Sequence, residues 1–158
     1  MLKTEGMQVY HVKPLGELYF QVQREPKVLE ALLRAVRVFD VPIYGLQTAG
    51  MSEARYRLGV PLLPEIYPDI DYDVQGGLNL IGEYAPVTPD LVNRRIRDFT
   101  LRGEVVSSIG SAVSPGFERQ SFTICIHSDL PSALGNAAAA REALEQISQA
   151  KNGSIEHI

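Results

Sequence analysis

Few residues in this chain are placed to do acid, base or nucleophilic chemistry. Cys125 and His127 are the one close pair that joins a thiol nucleophile to a base. They lie two positions apart in an apolar segment, where strand residues share a face but hold their side chains several Å apart. Structural packing is therefore favoured for both residues over a catalytic role. The sequence predicts no catalytic residue.

Three aspartates at alternate positions, Asp69, Asp71 and Asp73, resemble the start of a calcium-binding loop. Such a loop needs a glycine at its sixth position and a bidentate glutamate at its twelfth, and those places hold Val74 and Leu80. The histidines are far apart and lack the spacing of a zinc site. We expect a solvated acidic linker here, with no metal and no other cofactor.

Two turns that lead into predicted helices remain as candidate binding sites, one at residues 24–27 and one at residues 85–90. Backbone N–H groups at a helix N-terminus have no partner within the helix and attract carboxylates. Ordinary helix capping explains each turn more simply than binding does. The candidate ligand-binding residues are Arg24, Glu25, Pro26, Lys27, Val28, Thr88 and Asp90.

The first half of the chain predicts the element order β-α-β-β. Apolar and polar residues alternate over residues 18–23 and again over 54–60, which favours a strand in each place. Between them, an apolar stripe over 28–36 predicts a helix that begins near Pro26, and 41–46 reads as a strand. The proline-rich segment that follows looks like a connection between two halves.

The second half repeats the order with a closing helix. A strand at 78–83 precedes a helix that begins at Thr88 and ends at Gly103, and strands at 105–111 and 120–127 precede an alanine-rich helix at 131–150. The predicted fold class is α/β (α+β), with two ferredoxin-like β-α-β-β units, largely antiparallel sheets and helices on one face. The expected divisions are a first unit at 1–63, a linker at 64–77, a second unit at 78–150 and a mobile tail at 151–158.

Composition excludes several classes of protein. The chain has 158 residues, a formal net charge of −4 and scattered cationic residues, so it lacks the basic surface of a nucleic-acid-binding protein. No window approaches the ~18 uninterrupted apolar residues that a membrane-spanning helix needs. We expect a cytoplasmic protein that binds neither nucleic acid nor membrane.

Several segments are similar to those of ACT regulatory domains. Residues 20–29 with 41–46 resemble the opening of an ACT domain, in which an apolar strand runs into a proline-containing turn and an amphipathic helix. Residues 92–106 resemble the second domain of acetolactate synthase regulatory subunits, and 121–130 resemble the end of aspartate-kinase ACT domains. The glycine that often follows the turn proline in ACT domains is replaced by Lys27 and by Asp90.

The resemblance implies a non-catalytic, allosteric regulatory protein. Such a protein would bind a small effector, such as an amino acid, at the interfaces of a homo-oligomer and would act on a regulated enzyme. Two alternatives remain open at this point. One is a structural protein of the microcompartment-shell type, since similar units build such shells, and the other is an enzyme whose site is shared between subunits.

Overall fold

The computed structural model describes residues 2–73, 77–79, 87–107, 109–117 and 121–153. Within these ranges a short 3-10 helix covers Leu2–Glu5, and the helices that follow are α1 (Glu17–Arg24), α2 (Pro26–Arg37), α3 (Ala49–Leu58), α4 (Pro89–Arg102) and α5 (Ala133–Gly153). The strands are β1 (Ile43–Gly45), β2 (Leu62–Ile66), β3 (Val105–Val106), β4 (Ala112–Val113) and β5 (Thr123–Ile124). None of the helices in the described part of the chain has the length and apolar character needed to cross a membrane.

Contacts divide the chain into two compact units. The first comprises Met1–Ile66 with Ser121–Thr123, and the second comprises Tyr67–Gln120 with Ile124–Ile158. The four divisions expected from the sequence stay a prediction. Of the expected tail, residues 151–153 continue α5, and 154–158 lie outside the described residues.

The strand pairing of the first unit overturns the ferredoxin-like prediction. β1 pairs in parallel with β2, with Ile43 opposite Leu62, and Val12 forms a further parallel bridge with Ile43. The sheet has the order β1-β2-β5. The prediction of two ferredoxin-like units with largely antiparallel sheets is therefore wrong. The architecture is α/β with a parallel sheet.

Helix α3 is the physical reason for the parallel pairing. Residues 54–60 were assigned to a strand from their sequence, but they belong mostly to this helix, which crosses over between β1 and β2. Thr48 caps its N-terminus by accepting a hydrogen bond from the Met51 amide at 3.1 Å. Gly59 ends it in the left-handed conformation at φ 67°.

Helix α1 is a second departure from the predicted strands. Residues 18–23 were assigned to a strand from the alternation of Leu18, Phe20 and Val22, but the segment is helical. Its buried residues are Tyr19 and Val22, which lie three apart, whereas Leu18 is 41% exposed. A helical period of burial therefore replaces the alternating one.

The apolar stripe of α2 confirms the predicted helix and forms the centre of the first unit. Pro26 occupies its first turn, as expected from the missing N–H of proline. The stripe packs with residues of α3 and β1. The buried cluster consists of Val22, Leu29, Leu33, Val36, Ile43, Met51, Ala54, Leu58 and Val60.

In the second unit, helix α4 begins and ends where the sequence predicts. Thr88 Oγ1 accepts a hydrogen bond from the Leu91 amide at 3.3 Å, and Gly103 terminates the helix with φ 74°. The helical spacing of Val92, Ile96 and Phe99 predicts an apolar stripe, and all three residues are fully buried. Phe99 packs on Phe117 with 4.9 Å between ring centroids.

Helix α5 is present as predicted, but it buries a different face. The spacing of Leu134, Ala137, Ala140, Leu144 and Ile147 predicts an apolar stripe, but Leu134 and Leu144 are 90% and 46% exposed. Ala140 of the predicted stripe is buried, and the other buried residues are Asn136, Ala139 and Ala143. Close approach to α4 explains this choice, because a Cβ added at Gly135 would lie 3.0 Å from Pro89.

The remaining predicted strands are short. β3 lies within the strand predicted at 105–111 and pairs antiparallel with β4, and β5 lies within the strand predicted at 120–127. Of the strand predicted at 78–83, Leu78 forms an isolated bridge with Tyr72, and residues 80–83 lie outside the described part of the chain.

Candidate functional site

The segment from Tyr67 to Tyr72 forms a buried loop that carries two carboxylates. The Tyr67 amide donates to the Tyr72 hydroxyl at 2.7 Å, and the Ile70 amide donates to the Tyr67 carbonyl at 3.2 Å, so the loop closes on itself. Asp69 and Asp71 are only 3% and 5% exposed. The expectation of a solvated acidic linker is therefore wrong for these two residues, and burial raises the pKa of the Tyr72 phenol, which keeps it protonated.

Asp69 holds His127 through two hydrogen bonds. The His127 backbone amide donates to Asp69 Oδ2 at 2.6 Å, and the His127 ring nitrogen Nδ1 lies 3.0 Å from Asp69 Oδ1. When Nδ1 carries the proton and donates it to the carboxylate, Nε2 is the ring nitrogen with the lone pair. The Asp69 side chain is fully buried and that of His127 is 32% exposed, so a fixed carboxylate orients a partly accessible imidazole.

The sequence places both members of this pair after neighbouring strands. Asp69 follows the end of β2 by three residues, and His127 follows the end of β5 by three residues. β2 and β5 are adjacent in the sheet. Ligand-binding residues in α/β proteins cluster in loops after the carboxyl ends of parallel strands, which makes this a position where function is expected.

Arg95 of helix α4 lies beneath the same loop with its side chain fully buried. Its Nη1 donates to the carbonyls of Pro68 at 3.1 Å and Ile70 at 2.8 Å, and its Nη2 donates to Asp71 Oδ1 at 2.9 Å. Its Nε donates to the Val106 carbonyl at 2.7 Å. Desolvation lowers the pKa of Arg95 and Asp71 opposes that shift, so the guanidinium stays charged beside its carboxylate.

In the first unit, a half-buried lysine and a buried glutamate form an ion pair. Lys13 Nζ lies 2.8 Å from Glu65 Oε2, and the two side chains are 18% and 4% exposed. Lys13 directly follows the bridging residue Val12, and Glu65 is in β2. Removing one partner would leave a buried charge unpaired, which is costly.

Sequence reasoning missed this chemistry because the partners are far apart in the chain. It paired His127 with Cys125, the nearest residue of suitable type, and assigned both to structural packing. In the structure the His127 ring is hydrogen-bonded to Asp69. The alternating aspartates were the available signal, since the first of them follows the end of β2 by three residues. No group of three or more metal-ligating side chains occurs among the described residues.

The candidate ligand-binding residues of the first turn lie at a junction between two helices. Arg24, Glu25, Pro26 and Lys27 are exposed, and Val28 is half-buried. Glu25 separates α1 from α2 and makes no side-chain capping hydrogen bond. The turn is therefore not the strand-to-helix turn that was predicted, and ligand binding there stays a prediction.

The other two candidate residues belong to the second unit. Thr88 caps helix α4 through its hydroxyl, as the simpler interpretation of the turn expected. Asp90 is exposed and lines an open groove of about 740 Å³ between α4 and α5, together with Asn93, Arg97 and Glu142. A binding role for Thr88 and Asp90 also stays a prediction.

The parallel α/β sheet and a carboxylate-oriented histidine define the class, an α/β protein with the geometry of a proton-transfer site. The chain belongs to the LamB/YcsF family, whose model matches residues 1–156. An A subunit of 5-oxoprolinase from Thermus thermophilus is 34% identical over 150 residues, which cover 92% of this chain and 58% of that protein. A lactam utilization protein lamB of Emericella nidulans is 29% identical over 149 residues, covering 94% and 58%.

A solved structure agrees with these relatives. The crystal structure of a lactam utilization protein from Thermus thermophilus matches with a TM-score of 0.77 and 31% identity, over 93% of this chain and 58% of that one. The chain thus spans somewhat less than three fifths of the length of the proteins it matches.

These comparisons overturn the ACT-domain identification. The chain is not a member of the ACT-domain regulatory proteins, and its relatives are named as subunits of an enzyme. The interpretation as a non-catalytic, amino-acid-binding regulator is therefore wrong. The microcompartment-shell alternative falls with the ferredoxin-like units on which it depended.

Proposed function

We propose that this chain takes part in the chemistry of a lactam such as 5-oxoproline, as one subunit of a larger enzyme. The family and the names of its relatives support the substrate class. The observation that carries the proposal is the hydrogen-bonded pair of Asp69 and His127, with Nδ1 of the imidazole 3.0 Å from a fully buried carboxylate.

The chemistry of a lactam calls for such a pair. A lactam is a cyclic amide. Hydrolysis of its ring forms a bond between a water oxygen and the carbonyl carbon and breaks the C–N bond, so a base must take a proton from the water and an acid must give a proton to the departing nitrogen. Histidine serves both purposes near neutral pH, because its ordinary pKa is about 6.5. In this proposal His127 transfers the proton at Nε2, and Asp69 holds the ring in the Nδ1–H tautomer.

The partners in this proposal are the other subunits of the enzyme, because the relatives are named as subunits of 5-oxoprolinase. A cytoplasmic location is part of the same proposal. A homo-oligomer and a site shared between subunits stay predictions from the sequence.

The proposal is tested by combining this chain with the remaining subunits of a bacterial 5-oxoprolinase, in place of the A subunit of that enzyme. Loss of 5-oxoproline is followed with time. We expect the wild-type chain to support turnover and His127→Ala to lower the rate by about 10²–10⁴-fold, the usual contribution of a general acid or base.

The matched control is the natural A subunit in the same mixture, which shows that the other subunits are active. Equal turnover by the wild type and by folded His127→Ala would contradict the role of His127. No turnover with this chain, where the natural A subunit restores it, would contradict the proposed function.

A further inference from the structure

We infer that Arg95 is a positioning residue, which fixes the buried loop so that Asp69 holds His127 in the orientation and tautomer needed for proton transfer. The inference rests on the proposed function for its meaning, but the geometry that supports it stands apart from any activity. The hydrogen bonds of Arg95 go to the loop and to β3 rather than to the imidazole. Arg95 acts on the backbone on either side of Asp69.

One nitrogen of Arg95 binds both peptide carbonyls that flank Asp69. Nη1 donates to the Pro68 carbonyl at 3.1 Å and to the Ile70 carbonyl at 2.8 Å. A rotation of the backbone at Asp69 would move at least one of these carbonyls away from the guanidinium. The carboxylate is therefore held where it can accept from both the amide and the ring of His127.

The other nitrogens of Arg95 connect these carbonyls to the rest of the second unit. Nη2 donates to Asp71 at 2.9 Å, and Nε donates to the Val106 carbonyl of β3 at 2.7 Å. Helix α4 itself is anchored by the buried side chains of Ile96 and Phe99. The loop is thus tied to a helix and a strand by one residue.

The planar fork of arginine is what this arrangement requires. Its donors point in fixed directions and reach four acceptors at once. The Arg95 guanidinium also lies 5.9 Å from the centre of the Tyr72 ring, which limits its movement. A lysine at this position would keep the charge but could not reach all four acceptors from a single ammonium group.

The test compares Arg95→Lys with the wild type in two NMR measurements. The first is the exchange protection of the His127 amide, which donates to Asp69. The second is the tautomer of the neutral His127 ring, read from its ¹⁵N shifts. We expect Arg95→Lys to lower the protection about tenfold or more and to move the ring towards the Nε2–H tautomer. Protection of the Phe99 amide, inside α4, should stay unchanged.

The matched control is Arg97→Gln, an exposed arginine on the same helix, which should leave both signals as in the wild type. If the His127 amide keeps its wild-type protection and the ring its wild-type tautomer in Arg95→Lys, the inference is overturned, because a positive charge alone would then suffice to position Asp69. Should Arg95→Lys not fold, Asp71→Asn weakens the hold on Arg95 and is expected to lower the same protection about threefold. Unchanged protection in Asp71→Asn would equally overturn it.

The two proposals fail in different ways. Lowered protection of the His127 amide and a shifted ring tautomer in Arg95→Lys, together with no lactam turnover by any form of the protein, would keep the positioning role and reject the proposed function. Lactam turnover by the wild type, together with unchanged His127 signals in Arg95→Lys, would keep the proposed function and reject the positioning role. With both proposals correct, Arg95→Lys lowers kcat and leaves KM within about threefold of the wild type, as expected when a transition-state interaction is lost.

Discussion

Asp69 and His127 are 58 positions apart in the chain, and the carboxylate of the first accepts from both the backbone and the ring of the second. The hydrogen bond from the His127 amide fixes the position of the histidine backbone, and the hydrogen bond to Nδ1 fixes the orientation of the imidazole ring. Since the carboxylate is fully buried, water does not compete for these bonds. The pair is therefore preorganised for proton transfer.

Replacement of Asp69 by asparagine tests the hydrogen bond between Asp69 and the His127 ring. The amide can present its NH₂ group to the imidazole, which favours protonation at Nε2 instead of Nδ1. We expect kcat for lactam turnover to fall by about 10²–10⁴-fold with little change in KM. The matched control is Asp129→Asn, an exposed aspartate two residues after His127, which should retain wild-type turnover. Wild-type kcat in folded Asp69→Asn would contradict the assignment.

Glu30 of α2 predicts a specific acid dependence of stability. It accepts from Arg57 at 2.9 Å and from Arg34 at 2.7 Å, and these hydrogen bonds lower its pKa from 4.5 to about 2. A carboxylate with a lowered pKa stabilises the fold above its unfolded value, and the effect is lost as pH falls towards the folded value. The stability difference between the wild type and Glu30→Gln should therefore be largest above pH 4.5 and vanish below about pH 2.

Urea unfolding of both proteins at several pH values checks this. Because the ion pairs of Glu30 with Arg34 and Arg57 are on the surface, the stability difference should be small and should shrink further in about 1 M salt. A difference that grew as the pH was lowered would contradict the ion pairs described here.

Two glycines at the ends of α3 should respond to alanine in opposite directions. Gly59 has φ 67° and open space where a methyl group would lie, so Gly59→Ala costs only backbone strain, about 1–2 kcal/mol. Gly50 lies within α3 and also faces open space, so Gly50→Ala should stabilise the fold by about 0.5–1 kcal/mol. Thermal and urea unfolding measure both changes in stability. Changes of the same sign in the two variants would contradict the placement of Gly50 inside α3 and of Gly59 at its C-terminal end.

Helix α4 offers a matched pair for the core of the second unit. Phe99 is 0% exposed and packs on Phe117, so Phe99→Ala should lower the free energy of unfolding by about 3–5 kcal/mol. Leu101, two residues on, is 58% exposed, and Leu101→Ala should change it by no more than about 0.5 kcal/mol. Similar losses for the two variants in urea unfolding would mean that the buried face of α4 has been misplaced.

Local signals predicted those elements whose ends and faces are encoded within a few residues. α2 and α4 were found because proline, threonine and glycine sit at their ends and their apolar stripes have a helical period. The sequence does not predict α3, although Thr48 and Gly59 mark its ends, because the alternation over residues 54–60 favours a strand. A strand at residues 54–60 would directly follow the strand at 41–46, and two consecutive strands joined by a short turn pair antiparallel. The sequence therefore does not predict the parallel pairing of β1 with β2.

The candidate site could not be predicted in the same way. Its contacts join residues from distant segments, and no pattern within a few residues links Asp69 to His127 or Arg95 to Pro68. The run of three alternating aspartates predicts a solvated segment, but folding buries two of the three. The cost of burial is offset by donors from far along the chain, which only the tertiary structure brings near.

The most direct test of the central claim is an NMR titration of this chain with 5-oxoproline, following the ring signals of His127. We expect a saturable shift of these signals, which proline, without the lactam carbonyl, should not reproduce, and which Asp69→Asn should weaken. No shift up to about 10 mM, which is above the usual KM range of about 1 μM–1 mM, would contradict the claim.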